Sequence, residues 1–289
     1  MRHLLMTSAV ALALSGCATS HMPASTDSYA LTTVTSPVQL TEYAHRDDSA
    51  RARDEYRHPQ QTLSFFELSP EQTVVEIWPG GGWYTDILAP YLRDQGQLIA
   101  AHWHPESPVG FFKRLRGQFE DDFLTQPELY GNIQLTVLEP PKHLTLAADN
   151  SADRVLTFRN VHNWMRNGQE QAVFNAAFAA LKPGGLFGVV EHRAPNSFSR
   201  EQMVDSGYVS EDYVIELATA AGFELVGRSE VNANALDNKD HPKGVWTLPP
   251  SLRLGDKDKA KYLAIGESDR MTLKFRKPEC DSRTDGCQW

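Results

Sequence analysis

Residues 74–85 read Val74-Val75-Glu76-Ile77-Trp78-Pro79-Gly80-Gly81-Gly82-Trp83-Tyr84-Thr85. A mostly apolar, β-branched run meets Pro-Gly-Gly-Gly and then a segment able to start a helix. Such a pattern reads as a buried strand, an abrupt turn and a helix N-terminus. Glycines permit the left-handed backbone of a sharp turn and let a ligand approach the main chain. The helix that follows aims its free N–H groups at the same place. A dinucleotide fingerprint requires G-x-G-x-x-G, but Gly80-Gly81-Gly82 is followed by Trp83-Tyr84-Thr85 and preceded by the bulky Trp78. NAD is therefore disfavoured. A purely structural tight turn, with Trp78 packed beneath it, is the other reading.

Outward from this turn, apolar strands alternate with amphipathic helices. Strands are expected at 74–78, 98–102, 133–138, 154–158, 187–191, 224–230 and 271–276, and helices at 83–93, 111–123, 169–181 and 211–221. Strands and helices alternating at these lengths imply parallel βαβ units, hence an α/β fold with both sheet faces covered. The charged stretch from His45 reads as an exposed helix ending before Pro59, followed by a short second helix. Residues 231–268 form a long irregular segment. Loops of that length are usually functional or disordered, and the Trp, Pro, Lys and Arg content here favours an ordered lid.

The chain has 289 residues, 41% hydrophobic and 22% charged, enough for one sizeable core. A formal net charge of −9 argues against a general nucleic-acid binder. Residues 1–16 carry Arg2 and His3, then an apolar run from Leu4 to Leu14 too short to span a bilayer, and read as a signal peptide. The ending Leu14-Ser15-Gly16-Cys17 resembles a bacterial lipobox. That resemblance implies acylation of Cys17, and Ala18 after it implies an outer-membrane anchor facing the periplasm. Residues 17–44 read as the lipidated cysteine and a flexible Ser/Thr-rich tether to a domain spanning 45–278. Cys280 and Cys287 lie in a polar tail, 279–289, and suggest a disulfide in an oxidising compartment or, less well, half of a zinc site.

In open parallel sheets ligands lie beyond the carboxyl ends of the strands. Those ends carry Glu76 and the glycines, then His102-Trp103-His104, then Glu139, then Arg159-Asn160-Val161-His162-Asn163, then Glu191-His192-Arg193. His162 is the candidate general base, since an imidazole titrates near neutral pH; a loop-capping role is its bland alternative. Asn163 is a candidate for orienting substrate. Arg193 and Arg159 are candidates for holding a carboxylate or phosphate, although Arg159 could instead pair with Asp153 or Glu191. A second constellation, His102, His104, His162 and His192 with Glu76 or Glu191, has the donor set of a zinc, copper or iron site if the strands bring it together.

The segments "VVEIWPGGGWYTDILAPYL", "GQLIAAHW", "LTFRNVHNW", "FAALKPGGLFGVVEHR" and "AAGFELVGRSE" follow one another in an order that resembles the class I S-adenosylmethionine-dependent methyltransferases. More narrowly, "PGGGWYT", "HNW", "PKGVWTLPP" and "SDRM" resemble an exported branch of that superfamily. The resemblance covers about residues 45–278. It implies a Rossmann-like fold with a seven-stranded, mostly parallel sheet, and methyl transfer from S-adenosylmethionine to a small-molecule nucleophile. It also implies that Glu76 closes the first strand and that Gly80, Gly81 and Gly82 lie under the methionine part of the cofactor. Trp78 stands where the family has its first glycine. His102 stands where the family has an acid that takes both ribose hydroxyls, and an imidazole can make one such bond only. Glu139 is the substitute near the adenosine. S-adenosylmethionine is made in the cytosol, which favours the alternative of a non-enzymatic or metal-binding periplasmic lipoprotein with the same fold.

Overall fold

The computed structural model describes residues 45–279. The signal segment, Cys17, the tether, Cys280 and Cys287 lie outside the described residues. Ten strands occur: β1 (Thr73–Ile77), β2 (Gln97–His102), β3 (Gln134–Glu139), β4 (His143–Leu144), β5 (Ala152–Phe158), β6 (Leu181–Ala194), β7 (Val209–Ser210), β8 (Glu224–Ser229), β9 (Pro242–Val245) and β10 (Arg270–Arg276). Nine of them form one sheet in the order β4-β3-β2-β1-β5-β6-β10-β8, with β7 paired to β6. The pairs β1–β2, β2–β3, β1–β5 and β5–β6 are parallel. β10 runs antiparallel to both β6 and β8.

All seven anticipated strands are present. Of the three additional strands, β4 and β7 join the sheet with two residues each, too few to leave a period in the sequence, and β9 lies outside it. Val75, Ile77, Val155, Phe187 and Leu273 pack on one face, against Val173, Phe174, Ala177, Val214 and Leu217 of the helices Glu170–Ala180 and Glu211–Ala220. Val74, Leu98, Ala100, Leu156 and Val190 pack on the other, against Leu63, Phe66, Ile87 and Leu88. Adjacent residues such as Val74 and Val75 thus serve opposite faces, and both faces are covered. That is why the strands are continuous apolar runs rather than alternating ones.

The chain steps from β1 through β2 to β3 on one side, and from β5 to β6 on the other. Strand order therefore reverses between β1 and β5, and the crevice beyond their carboxyl ends is where a ligand is expected.

The charged N-terminal stretch is not an exposed helix. It forms three short helices, Asp48–Arg51, Asp54–Arg57 and Pro59–Phe65, and Arg46 and Arg57 are each only 2% exposed. Their charges are turned inward by partners: Arg46 makes a bidentate pair with Asp54 at 2.7 and 2.8 Å, and Arg57 reaches Glu267. The break at His58 (φ +39°) follows from the proline after it, which disfavours helical geometry in the preceding residue. The segment after β8 is ordered, with β9 and the helix Lys259–Ile265 inside it. Asp237 fastens it, accepting from the Tyr208 hydroxyl at 2.9 Å, from His241 Nε2 at 2.8 Å and from the Asp269 backbone N–H at 2.8 Å.

Candidate functional site

A cavity of about 710 Å³ lies over the glycine turn at the β1/β5 crevice. Its floor is Gly80–Gly82. A Cβ added to Gly80 or Gly81 would meet nothing within 4 Å, so both open onto the cavity. Gly82 is different: a Cβ there would lie 2.2 Å from the Phe123 ring, so this glycine is required by packing. The segment between β8 and β10 contributes Trp246, Pro249, Pro250 and Ser251 to the wall, and the N-terminal helical region contributes Arg53 and Arg57. Asp47, Asp86 and Asp122 line the cavity as well; Asp86 is engaged by His45 and by the Tyr130 hydroxyl.

His162 sits at the cavity edge on a short helix, Val161–Met165, directly after β5. Its Nδ1 is 3.0 Å from Glu191 Oε1. Glu191 is fully buried and also receives the backbone N–H groups of His162 and His192, at 3.3 and 2.8 Å. The Nδ1–H tautomer of His162 would add a third donor to this carboxylate and leave Nε2 as an acceptor. His192, ring centroid 5.3 Å from His162, bonds through Nδ1 to Ser268 Oγ at 2.5 Å. Burial, then the neighbouring His162 and arginines, hold the His192 imidazole well below its usual range, so it is neutral. Asn160 Nδ2 donates to Ile77 O at 2.9 Å and to Thr157 Oγ1 at 3.2 Å, tying the ends of β1 and β5 together beneath the cavity.

The basic wall is built around one acid. Glu267 accepts from Arg53 Nε at 2.5 Å, from Arg57 Nε at 3.4 Å and from Arg270 Nη2. Burial would raise its carboxyl, but Arg270, Arg57 and Arg53 overcome burial and hold it well below the usual carboxylate range. Arg159 completes the wall. It follows β5 with φ +63°, a strained conformation for a side chain of its size, and lines the cavity. Burial, then Arg270, lower its pKa to about 10.

On the other side of β1 the strand ends are closed. Trp78, also left-handed at φ +48°, lays its indole across the tips of the neighbouring strands and donates Nε1–H to Leu138 O in β3 at 2.8 Å. Its ring centroid is 5.1 Å from Trp103, 6.1 Å from Phe112 and 6.0 Å from Trp164. Trp103 and Phe112 stack at 4.6 Å, nearly parallel. This is the place that the resemblance assigns to the adenosine, over the ends of β1, β2 and β3. The residues there do not fit that group. An indole fills the space, and its N–H takes the carbonyl of β3. His102 is fully buried, with Nδ1 accepting the Trp103 N–H at 3.0 Å, and burial together with Arg116 lowers its pKa to about 3. Glu139 spends its carboxylate on the His104 N–H at 2.8 Å and the Ser107 hydroxyl at 2.7 Å. Neither residue lines the cavity.

The expected site is thus partly assembled. Gly80, Gly81, Gly82, Arg159, His162 and His192 converge on the cavity, and Trp78 borders it. Glu76 stands behind the turn, bonded to Thr85 Oγ1 at 2.6 Å, rather than in the cavity. Asn163 is exposed, because on its helix it points about 100° away from His162; the asparagine at the cavity is Asn160. Arg193 is not a substrate clamp: it bonds to Asp269, Glu211 and Glu230 and lies outside the cavity. The four-histidine metal set does not form. His104 stacks on His143 in a separate loop, and His102 is buried beside Phe119. Only His162, Glu191 and His192 place donor atoms within 4.8 Å of one another among the described residues. Glu191 already accepts two backbone N–H groups, and Arg270, Arg159 and Arg57 act on His192 and oppose a cation.

Sequence reading missed Arg53, Arg57 and Arg270, and placed Asn160 at the strand end without giving it a role. Arg270 was in view within "SDRM", a segment that could have drawn attention to it: Ser268 holds His192, Asp269 holds Arg193, and Arg270 lines the cavity.

No family model and no curated protein matches the sequence. Solved structures do resemble the fold. A SAM-dependent methyltransferase from Aquifex aeolicus superposes with a TM-score of 0.52 at 15% identity, covering 78% of this chain and 93% of that one. The [4+2]-cyclase SpnF superposes with a TM-score of 0.55 at 15% identity, covering 78% and 82%. At these identities the likeness is one of architecture: the chain has the Rossmann-like fold of the class I methyltransferases.

Proposed function

We propose that this chain is an enzyme of the cell envelope, lipid-anchored through Cys17, that transfers a proton to or from a small molecule held above Gly80–Gly82. The observation that carries this reading is the fixed His162–Glu191 pair, bonded through Nδ1, at the edge of a large cavity. Glu191 orients the ring and stabilises its charged form once a proton is taken, as an orienting acid does for a catalytic histidine. The glycine floor brings backbone close to the ligand, and the lid residues Trp246 and Pro249 limit water. The test is to incubate metabolite extract with the purified chain and with His162→Gln, and to compare the products by mass spectrometry. A metabolite consumed by the first and not by the second is expected. Identical profiles would remove the enzymatic reading.

A second reading, methyl transfer from S-adenosylmethionine, is favoured by the fold likeness and by the open faces of Gly80 and Gly81. Since the indole of Trp78 takes the adenosine position, the cofactor would have to sit wholly within the cavity. Calorimetric titration with S-adenosylmethionine and S-adenosylhomocysteine decides it. Micromolar binding of either would put this reading first; no heat at millimolar ligand with a folded protein would exclude it.

A further inference from the structure

Four arginines, Arg53, Arg57, Arg159 and Arg270, line the cavity, and among the described residues Glu267 is the one carboxylate hydrogen-bonded to them. Arg53, Arg57 and Arg270 share the single carboxylate of Glu267, and the side chain of Arg159, unlike its backbone N–H, has no hydrogen-bond or ion-pair partner among the described residues. Three guanidinium nitrogens are buried without a partner: Arg53 Nη2, Arg57 Nη1 and Arg270 Nε. Buried donors are normally satisfied, and a charged one left bare is costly. Guanidinium keeps its charge under these conditions, so the wall cannot relieve itself by losing protons. Of the acids that also line the cavity, Asp86 is bound to His45 and Tyr130 and Asp47 caps its own helix through the Ala50 N–H, and neither these nor Asp122 is hydrogen-bonded to one of the four arginines.

We infer that this arginine cluster is an oxyanion-binding site, and that the molecule taken into the cavity carries a phosphate or carboxylate group seated against Arg159. The inference rests on the proposed enzymatic use of the cavity and names its substrate class. Planar guanidinium forks match both kinds of oxyanion with paired N–H···O bonds. Arg159, unpaired and strained at φ +63°, is the member left free to meet the ligand. Arg57 is fixed from behind, its guanidinium lying over the Trp83 ring at 4.4 Å. The oxyanion would hold the substrate near the His162 edge without itself reacting.

The test uses the purified full chain at constant ionic strength. Thermal unfolding is followed against inorganic phosphate, pyrophosphate and citrate, so that phosphate and carboxylate chemistry are separated. At least one of them is expected to raise the melting temperature at low millimolar concentration. Arg159→Asn is expected to weaken the apparent affinity tenfold or more. Asparagine tolerates the left-handed backbone, so this variant should fold as the parent does. Lys182→Gln, a surface lysine paired with Asp153 at 2.7 Å, serves as the charge control and should change nothing. No stabilisation by any of the three anions overturns the inference, and so does stabilisation undiminished in Arg159→Asn. His162→Gln should keep the anion response. If the anion binds and His162→Gln leaves metabolite profiles unchanged, the catalytic reading fails while the anion site stands. If turnover depends on His162 but no anion binds, the reverse holds.

Discussion

On one side of β1 the strand ends are packed shut by Trp78, Trp103, Phe112 and Trp164; on the other, the end of β5 opens onto a cavity walled by arginines. Both regions lie at the carboxyl edge of the same sheet, and each begins with a left-handed residue, Trp78 after β1 and Arg159 after β5. One strained residue fills space and satisfies its polar atom within the protein. The other leaves its charge without a partner. An open α/β fold supplies the crevice, and the residues at the strand tips decide which half of it receives a ligand.

The basic half is broken most severely at Glu267, the carboxylate bonded to its arginines. Glu267→Gln leaves Arg57 and Arg270 without a counter-charge in a buried wall, where removing one partner of an ion pair costs about 3–5 kcal/mol. Denaturant unfolding should show a loss of that order, with the slope unchanged. Anion stabilisation should become larger in this variant than in the parent, because more donors are left bare. A loss below about 1 kcal/mol, the range of exposed pairs, would mean that the wall is solvated and the contrast with the aromatic half is illusory.

The aromatic half is tested by reopening it. Trp78→Gly deletes a side chain that is 9% exposed and packed on three rings. Large-to-small changes of this kind cost about 3–5 kcal/mol. Relief of the φ +48° backbone should return about 1 kcal/mol. The net effect in denaturant unfolding should be a loss smaller than that at Glu267. If the indole is what closes the adenosine position, S-adenosylhomocysteine should bind the variant at least tenfold more tightly than the parent by calorimetry. Equal affinity would show that Trp78 is no barrier.

These two halves also mark how far the sequence could be read. The strands were legible because β1, β2 and β6 are apolar runs with Gly or Pro beside or within them and β5 is one bounded by polar residues, and the sheet edge followed from their order. His162 and the glycine floor were legible because they stand at strand ends in sequence as well as in space. Arg53 and Arg57 were not, because their role depends on chain segments more than 200 residues apart meeting at Glu267: their contacts with it span 214 and 210 positions, while Arg270 stands only three residues from it. A charged N-terminal stretch looks solvated unless its partners are known. The same holds for Arg193, which looks like a clamp until the acids of three other segments are seen around it.

Glu76 lies behind the glycine turn, between the two halves, and sets a pH dependence. It is fully buried with one hydroxyl partner, and burial raises its pKa from 4.5 to about 7, with the Thr85 hydrogen bond opposing. A carboxyl whose folded pKa lies above its unfolded one favours folding most when protonated. Its contribution is complete below about pH 4.5, declines as pH rises to about 7 and is level beyond. A shift of this size corresponds to a few kcal/mol at most. Glu267 works in the opposite sense and only at lower pH, so the two windows separate. Glu76→Gln keeps an acceptor for Thr85 and should gain stability relative to the parent at pH 8 but not at pH 4. An equal difference at both values would mean that Glu76 stays ionised in the folded chain.

The smallest effect distinguishes two asparagines three positions apart. Asn163, exposed on the helix after β5, touches neither half, and Asn163→Ala should lie within about 0.5 kcal/mol of the parent with metabolite turnover unchanged. Asn160 bridges the end of β1 to the end of β5 through Ile77 O and Thr157 Oγ1. Asn160→Ala leaves those acceptors buried and unpaired, at a cost of about 1–3 kcal/mol. It should also loosen the spacing between Trp78 and Arg159, so anion affinity should fall in Asn160→Ala and not in Asn163→Ala. If both variants bind pyrophosphate as the parent does, the two halves are not held in register by this bridge. The sheet hydrogen bonds between Val74–Ile77 and Arg154–Thr157 would then suffice to fix the crevice.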